Sequence, residues 1–248
     1  MRRIFISEND FGKEEIQITD SNAVAYLSVV LRMNVGDDLL VSNGTSRICE
    51  TKITEMSKSL IGLSIQNERQ FEEGYGTKIT LYQGMPKGSK MDEIVRKSTE
   101  LGVCRIVPTV TTRSVPDIKK GAFSQKVSRW RRIAEEAARQ SHRMSIPEVN
   151  DVLCFAETIK ELSDSGYDTV LALYELEEKC TLKIALQNNK IQSPKIAVFI
   201  GPEGGFEQEE IDRLVSEGAV AVTVGKTILR TETAGPAAIA MILYDRDL

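Results

Sequence analysis

The sequence predicts an α/β protein in which a mostly parallel sheet follows a smaller β-rich unit. Up to about residue 70, short runs of alternating apolar and polar residues are separated by turn residues, a pattern typical of β-strands. From Lys78 onward, apolar runs of strand length alternate with amphipathic stretches of helix length. That order predicts parallel strands whose sheet is covered by helices on both faces.

Composition indicates a globular chain. The 248 residues are 41% hydrophobic and 27% charged, which is typical of a folded protein. Because no run of 18 apolar residues and no secretory signal is present, we expect no membrane association and a cytoplasmic location. The formal charge of −4 argues against a generally basic protein that coats nucleic acid, although it is compatible with a local basic face.

Cysteine and histidine content argues against a zinc site and a redox pair. CxxC spacing and nearby histidines are absent around the cysteines, which are Cys49, Cys104, Cys154 and Cys180. We therefore interpret them as buried reduced thiols. Because His142 is the single histidine, a histidine-based triad and a multi-histidine centre are excluded, and no metal is predicted.

The N-terminal region, assigned to residues 1–72, is predicted to hold short strands and one helix. The strand candidates are RIFIS, EIQIT, DDLLVSN, RICETKITE and SLIGLSIQN. The helix is predicted from Ser21 to Leu31, capped by Asp20 or Ser21, with an apolar face of Val24, Leu27, Val30 and Leu31. FEEGYGT, residues 71–77, has the composition of a linker, so a second domain is assigned to residues 73–248.

The second domain alternates strand and helix patterns. Strands are predicted at KITLYQG, VCRIVPTV, DTVLALYE, KIAVFIG and AVAVTVG. Helices are predicted at SKMDEIVRKSTEL, which Gly102 closes, and at SQKVSRWRRIAEEAARQS. Further helices are expected near residues 154–163, 180–188 and 207–217, and from about Thr233 to Tyr244.

Two loops fall where parallel sheets bind ligands, beyond the carboxyl ends of strands. The first lies in FIGPEGGFEQEEI, residues 199–211, where Gly201, Gly204 and Gly205 allow close backbone approach and Pro202 stiffens the turn. An ordinary tight turn is the alternative interpretation. The second loop lies in VGKTILRTETAGPAAIA, residues 224–240, and its small-residue helix start permits close packing against a ligand or a partner subunit.

The residues of these loops argue against a phosphate ligand. Glu203 lies inside the first loop, neither GxGxxG nor GxxxxGK[ST] matches, and acidic residues open the following helix, namely Glu207, Glu209 and Glu210. A ligand with little negative charge is favoured, such as S-adenosylmethionine with its cationic sulfonium. The second loop also has an ordinary alternative interpretation. Thr231 or Thr233 would then be an N-cap, and Arg230 and Glu232 would be solvated surface residues.

Several motifs in order resemble one family over the full length of the chain. They are YLSVVLRMNVGD at 26–37, KSTELGV at 97–103, RSVP at 113–116, EEAARQSHR at 135–143, GPEGGF and GKTILRTETA. Together they resemble the 16S ribosomal RNA uridine N3-methyltransferase family, small subunit methyltransferase E. One position departs from the family, because Tyr26 stands where histidine is common, which puts an acid/base role there in doubt.

The resemblance implies a SPOUT-class methyltransferase with an N-terminal PUA-like β-barrel and an α/β domain ending in a trefoil knot. It implies a homodimer that uses S-adenosylmethionine to make N3-methyluridine in 16S rRNA, within the assembled small ribosomal subunit. Cofactor contacts carried over by motif are Leu173, Tyr174, Ile200, Gly201, Pro202, Glu203, Gly204, Gly205, Val224, Gly225, Ile228, Leu229, Arg230, Thr233 and Ala234.

The implied reaction assigns further roles. Methylation at uridine N3 removes a proton and spreads negative charge onto the neighbouring oxygens, so Arg230 is the candidate for stabilising that charge. Glu232 is the candidate for orienting Arg230 or receiving the proton. Because N3 lies on the pairing edge, the base must be unpaired or flipped out. Candidate RNA contacts are Arg2, Arg3, Arg32, Lys87, Lys90, Arg113, Arg139 and Arg143.

Two alternatives stay open from the sequence. A SPOUT methyltransferase acting on another RNA site, such as a ribose 2′-hydroxyl or a tRNA base, would carry similar loops. A noncatalytic RNA-binding module that kept the scaffold is the alternative from another class, and it would be expected to lose the GPEGG and LRTETAG residues.

Overall fold

The computed structural model describes residues 1–70, 76–114, 122–188 and 194–246, and it divides into two compact units. The first unit comprises Met1–Glu73 together with Ser141–Ile146. The second comprises Gly74–Gln140 and Pro147–Leu248. Most of the predicted linker at 71–77 and the end of the RSVP motif lie outside the described residues.

The first unit is a mainly antiparallel sheet with strand order β1-β3-β4-β5-β2. Only the β1 and β3 pair among its described strands is parallel. Alternation along β2 and β5 sends Ile16, Ile18, Ile61 and Leu63 into the core, as period-two patterning predicts. The strands are β1 (Arg2–Phe5), β2 (Glu15–Ile18), β3 (Asp38–Ser42), β4 (Arg47–Met56) and β5 (Ile61–Gln70).

The helix of this unit is partly as predicted. Helix α1 (Ser21–Ala25) begins after Asp20, whose carboxylate accepts a 2.8 Å hydrogen bond from the Ala23 backbone, so the predicted cap is confirmed. A π-helical turn, Tyr26–Val30, then replaces the expected α-helix. Val30, the last residue of this turn, is 65% exposed, so its predicted place on the apolar face that packs on the core is wrong.

The second unit is a parallel sheet with strand order β12-β10-β11-β6-β7-β8, in which β9 also pairs with β7. Five of the six residues of β11 are buried, as expected for a strand covered on both faces. The strands are β6 (Lys78–Gly84), β7 (Arg105–Val110), β8 (Glu148–Val149), β9 (Leu153–Cys154), β10 (Thr169–Leu173), β11 (Lys195–Ile200) and β12 (Val220–Val222).

The helices connect and cover these strands. Gly102 ends α2 in the left-handed region at φ 108°, as predicted, and Trp130 of α3 is 3% exposed in the core. The helices are α2 (Lys90–Leu101), α3 (Ala122–Gln140), α4 (Phe155–Asp164), α5 (Leu182–Asn188), α6 (Gln208–Ser216) and α7 (Thr231–Arg246). None of the described helices is long and apolar enough to cross a bilayer.

The expectation of buried thiols is wrong for most of the cysteines. Only Cys49 is buried, and burial is the main cause that raises the pKa of its thiol. Cys154 is exposed because it lies at the N-terminus of α4, while Cys104 and Cys180 are partly exposed. None of the four forms a disulfide, as the scattered spacing predicts.

A partly buried ion pair joins β7 to α4. Arg105 donates to both carboxylate oxygens of Glu161, at 2.8 and 2.9 Å, and the Tyr82 hydroxyl donates to Glu161 at 2.6 Å. Burial alone would raise the pKa of the Glu161 carboxyl, but these donors outweigh it and hold that pKa below its ordinary value. Glu161 therefore stabilises the fold in its ionised form.

Replacing this carboxylate tests its contribution. Glu161→Gln is expected to lower the free energy of unfolding at pH 7 by about 1–3 kcal/mol, because Arg105 loses its bidentate partner. Since the folded-state pKa is depressed, this contribution is complete above the ordinary carboxyl pKa and is lost as the pH falls through the folded-state pKa. Urea unfolding at decreasing pH should thus show a larger fall in the free energy of unfolding for the wild type than for the variant.

The matched control is Glu148→Gln, because the Glu148 carboxylate lies 3.6 Å from Arg105 but is 68% exposed. Its free energy of unfolding is expected to change by less than about 0.5 kcal/mol. Equal losses in the two variants would contradict a special role for Glu161.

Candidate active site

The loops that follow β10, β11 and β12 meet at one edge of the parallel sheet. These strands are neighbours in the order β12-β10-β11, so their carboxyl ends lie side by side. Together with the first turn of α7, the loops line a cavity of about 1060 Å³. Parallel α/β sheets bind ligands at this edge, so the cavity is the candidate site.

Close backbone approach shapes the loop after β11. A Cβ placed on Gly84, at the end of β6, would lie 2.6 Å from the Pro202 ring, so only glycine fits there. Within the loop, a Cβ on Gly201 would lie 2.9 Å from the carbonyl carbon of Gly205, and Gly205 itself has φ 69°. The glycines of GPEGG thus permit a tight turn packed against β6.

Arg113 holds the same loop from the other side. Its guanidinium donates to both oxygens of the Glu207 carboxylate, at 2.7 and 2.9 Å, and to the Gly204 carbonyl at 2.6 Å. The guanidinium keeps the pKa of the Glu207 carboxyl below its ordinary value. Glu210 is 6% exposed and accepts hydrogen bonds from the Thr112 backbone and hydroxyl, at 2.8 and 3.1 Å.

The acidic flank of GPEGG therefore has a role that the sequence did not indicate. Glu207 and Glu210 fasten the loop and the start of α6 to the segment after β7. The carboxylates that do line the cavity come from the loop after β10, Glu175, Glu177 and Glu178, and from Glu203. These lining carboxylates, rather than the acidic flank of GPEGG, favour a ligand with little negative charge.

Lys90 lies between two carboxylates at the cavity. Its ammonium is 2.8 Å from Glu203 and 3.5 Å from Glu232. The Glu203 carboxylate also accepts hydrogen bonds from the Lys87 backbone N–H, at 3.1 and 3.2 Å. Burial would raise the pKa of Glu203, but the Lys90 ammonium and the backbone donors hold it below its ordinary value.

Thr231 links the two ligand loops. Its hydroxyl donates to the Gly201 carbonyl at 2.7 Å and accepts from the Gln83 side-chain amide at 2.9 Å. Helix α7 begins at Thr231, two residues before the predicted start, so this hydroxyl does not act as the N-cap that the sequence allowed. Gln83 was not predicted, although a polar residue in the apolar strand KITLYQG was an available signal.

The structure brings nearly all the predicted cofactor residues together. All of them line the cavity except Thr233, which lies on the exposed side of α7. Arg230 lines the cavity, and within the described ranges its guanidinium has no hydrogen-bond or ion-pair partner. Glu232 does not line the cavity; its side chain is 14% exposed, and its carboxylate lies 3.5 Å from the ammonium of Lys90, which does line it.

The predicted RNA-contact residues separate into two groups. Among the described residues, the charged side chains of Arg2, Arg32 and Lys87 make no hydrogen bond or ion pair, and all three residues are exposed. The other candidates have protein partners, which are the His142 carbonyl for Arg3, Glu203 for Lys90, Glu207 for Arg113, Glu135 and Glu136 for Arg139, and Ser145 for Arg143.

Tyr26 lies in the first unit at the start of the π-helical turn and is half-buried. Its side chain packs against the hydrophobic core of that unit, a cluster that includes Leu27 and Met33. Over the described part of the chain, no group of three or more His, Cys, Asp and Glu side chains is arranged to hold a metal ion.

A family comparison defines the class of protein. Residues 74–243 match the family model of the RNA methyltransferase domain. This match contains the parallel sheet and every residue of the cavity described above. The α/β unit and its three-loop cavity are therefore those of an RNA methyltransferase domain.

Curated relatives and a solved structure narrow the class. The chain is 28% identical to ribosomal RNA small subunit methyltransferase E of Bacillus subtilis, over 100% of this chain and 98% of that protein. It is 32% identical to the Synechocystis protein of the same name, over 97% and 76%. The crystal structure of the Neisseria gonorrhoeae protein of that name, bound to S-adenosylmethionine, matches with 28% identity, a TM-score of 0.84, and 99% and 98% coverage.

This chain thus belongs to the ribosomal RNA small subunit methyltransferase E family. The resemblance carried by the six sequence motifs is confirmed at the level of the family.

Proposed function

We propose that this protein uses S-adenosylmethionine to methylate N3 of a uridine in 16S rRNA. The observation that carries the proposal is the convergence of the GPEGG and LRTETA loops on one cavity in a chain of this family. The protein acts in the cytoplasm, where its substrate is the rRNA of the assembled small ribosomal subunit.

The cavity suits S-adenosylmethionine. Its volume of about 1060 Å³ has room for a nucleoside cofactor beside a second reactant, because ligand pockets commonly measure about 300–1,000 Å³. Backbone groups of the glycine loop are available to adenine, and the carboxylates of Glu175, Glu177 and Glu178 suit a cofactor with cationic groups. When bound, the cofactor supplies an electrophilic methyl group.

Arg230 is the candidate catalytic residue. Its free guanidinium at the cavity can bind the uracil oxygens, where negative charge grows as the N3 proton leaves. Glu232 follows Arg230 at the start of α7, but its carboxylate is directed to Lys90 at 3.5 Å. We therefore assign Glu232 a positioning role through Lys90.

RNA binding is proposed to begin with the unpaired cations, Arg2 and Arg32 of the first unit and Lys87 beside the cavity. Lys87 follows β6, the strand whose end packs on the GPEGG loop, so a phosphate at Lys87 would lie near the reacting base. Exposed cations without protein partners lose no existing ion pair when they bind phosphate. The target base must be flipped out of any helix to reach the cavity.

A SPOUT-type trefoil knot is proposed for the second unit. The chain leaves β12 at the edge of the sheet, yet α7 packs against α2, β6 and β11. This return of the chain from the edge strand to the middle of the sheet supports a knotted C-terminus, and knots are rare in other folds. The first unit, with its β1-β3-β4-β5-β2 sheet, is proposed to be PUA-like.

A homodimer is proposed with α7 in its interface. Met241 and Tyr244 lie three residues apart on one face of α7 and are 45% and 76% exposed. Ala237 and Ala240 lie close to the same face and are partly exposed. A face of small and apolar residues permits the close approach of a second copy.

Nucleoside mapping tests the reaction. Small subunits from cells that lack this modification are incubated with the protein and S-adenosylmethionine, and the 16S rRNA is digested for mass spectrometry. N3-methyluridine is the expected product, and assembled subunits are expected to be better substrates than free rRNA. A methyl group on ribose would overturn the N3 assignment, while absence of both cofactor binding and methyl transfer would favour a noncatalytic RNA-binding module.

The role of Arg230 has its own test. Arg230→Ala is expected to lower kcat by about 100-fold or more, because one preorganised charge that stabilises the transition state is removed. Calorimetry should show S-adenosylmethionine binding within about fivefold of the wild type, since the guanidinium is assigned to the uracil oxygens and the other residues that line the cavity are unchanged. Arg213→Ala, which removes an exposed arginine from α6, is the matched control and should keep wild-type turnover.

The dimer is tested by charge on α7. A Met241→Glu, Tyr244→Glu double variant is expected to sediment as a monomer, because burying two carboxylates in the interface is strongly unfavourable. Val215→Glu places the same charge on an exposed apolar position of α6, 49% exposed, and should stay dimeric. A dimeric double variant would exclude this face of α7 as the interface.

A further inference from the structure

We propose that Thr231, supported by Gln83, is a positioning residue that fixes the distance between the two cofactor loops. The inference rests on the proposed use of S-adenosylmethionine. It concerns residues that do not carry the chemistry themselves but set the shape of the cavity before the cofactor binds.

The direction of each hydrogen bond follows from the chemistry of the partners. The Gly201 and Gly84 carbonyls can only accept, so the Thr231 hydroxyl donates to Gly201 and the Gln83 amide nitrogen donates to Gly84, at 2.7 and 3.0 Å. The remaining Gln83 amide proton then goes to the Thr231 oxygen, at 2.9 Å. The three hydrogen bonds form one chain with a single possible direction.

The position of this chain explains its effect on the cavity. Gly201 is the first residue of the loop after β11, and Thr231 is the residue at which the loop after β12 enters α7. One hydroxyl therefore joins the start of one cavity wall to the end of the other. Thr231 is 5% exposed and Gln83 is fully buried, so water does not compete for these bonds.

Burial of the Gln83 side-chain amide is energetically costly, which indicates that the amide does more than fill space. Among the described residues, its side-chain oxygen is buried without a hydrogen-bond partner, and it abuts Gly235 of α7. An apolar residue in β6 would avoid that cost. Retention of an amide here is understandable if its two donors are needed to orient Thr231 and the Gly84 carbonyl.

A preformed cavity lowers the conformational entropy that is lost when the cofactor binds. Loss of the Thr231 hydroxyl is therefore expected to weaken cofactor affinity while the protein still folds. Thr231→Val keeps the shape of the side chain but leaves the Gly201 carbonyl and a Gln83 proton unpaired. Thr231→Ser keeps the hydroxyl. Gln83→Met removes the support but leaves the bond from Thr231 to Gly201.

The test is calorimetry with S-adenosylmethionine on full-length protein whose folding is verified by circular dichroism. Thr231→Val is expected to raise Kd by about 10- to 50-fold, Gln83→Met by about three- to tenfold, and Thr231→Ser by less than about threefold. The matched control is Thr158→Val, because the Thr158 hydroxyl is buried and bonds the Cys154 carbonyl and Thr109, away from the cavity. Its Kd should stay within about twofold of the wild type.

The outcomes separate the two proposals. If the wild type fails to bind the cofactor, the proposed function fails and this inference with it. If the wild type binds and Thr231→Val binds equally well, only the inference is overturned. An equal loss in Thr158→Val would also overturn it, because the effect would then be general. Should Thr231→Val not fold, a wild-type Kd in Gln83→Met overturns the inference and a weakened Kd supports it.

Discussion

The geometry of the cavity depends on how closely the chain after β11 approaches the end of β6. At Gly84 the distance from a hypothetical Cβ to the Pro202 ring is 2.6 Å, which leaves no space for any side chain. That contact fixes the GPEGG turn against the sheet, and the turn in turn offers its Gly204 carbonyl to Arg113 and its Glu203 carboxylate to Lys90. Ion pairs that look like separate surface features are thus arranged around one backbone contact.

Charge in this region is used in two ways. Glu207 and Glu210 accept hydrogen bonds from Arg113 and Thr112 and hold the loop in place. Glu175 and Glu178 are exposed at the cavity and are available to a ligand. Some carboxylates of this region therefore stabilise the loop. Only the others contribute to the electrostatic field that a bound molecule experiences.

Local signals in the sequence predicted local structure well. The Asp20 cap and the Gly102 helix end depend on contacts within a few residues, and both are confirmed. The π-helical turn at Tyr26–Val30 escaped prediction because apolar spacing assumes a regular helix.

At the site, the glycine loops and Arg230 were recognisable from motif and strand order. The bond from Gln83 to Thr231 spans 148 positions and the pair of Arg113 with Glu207 spans 94. No periodicity relates such residues, so their partnership is set only by the tertiary fold.

The short segment Ser141–Ile146 has a consequence for the modular character of the chain. Although it follows α3, it belongs to the first unit, where Ser42 donates to the Met144 carbonyl at 2.9 Å, and the Ile146 N–H donates to the Gly44 carbonyl at 2.8 Å. Met144 also packs with Leu40 and Ile48. The first unit is therefore discontinuous in sequence, and a recombination event that exchanged the first seventy residues alone would separate it from part of its own core.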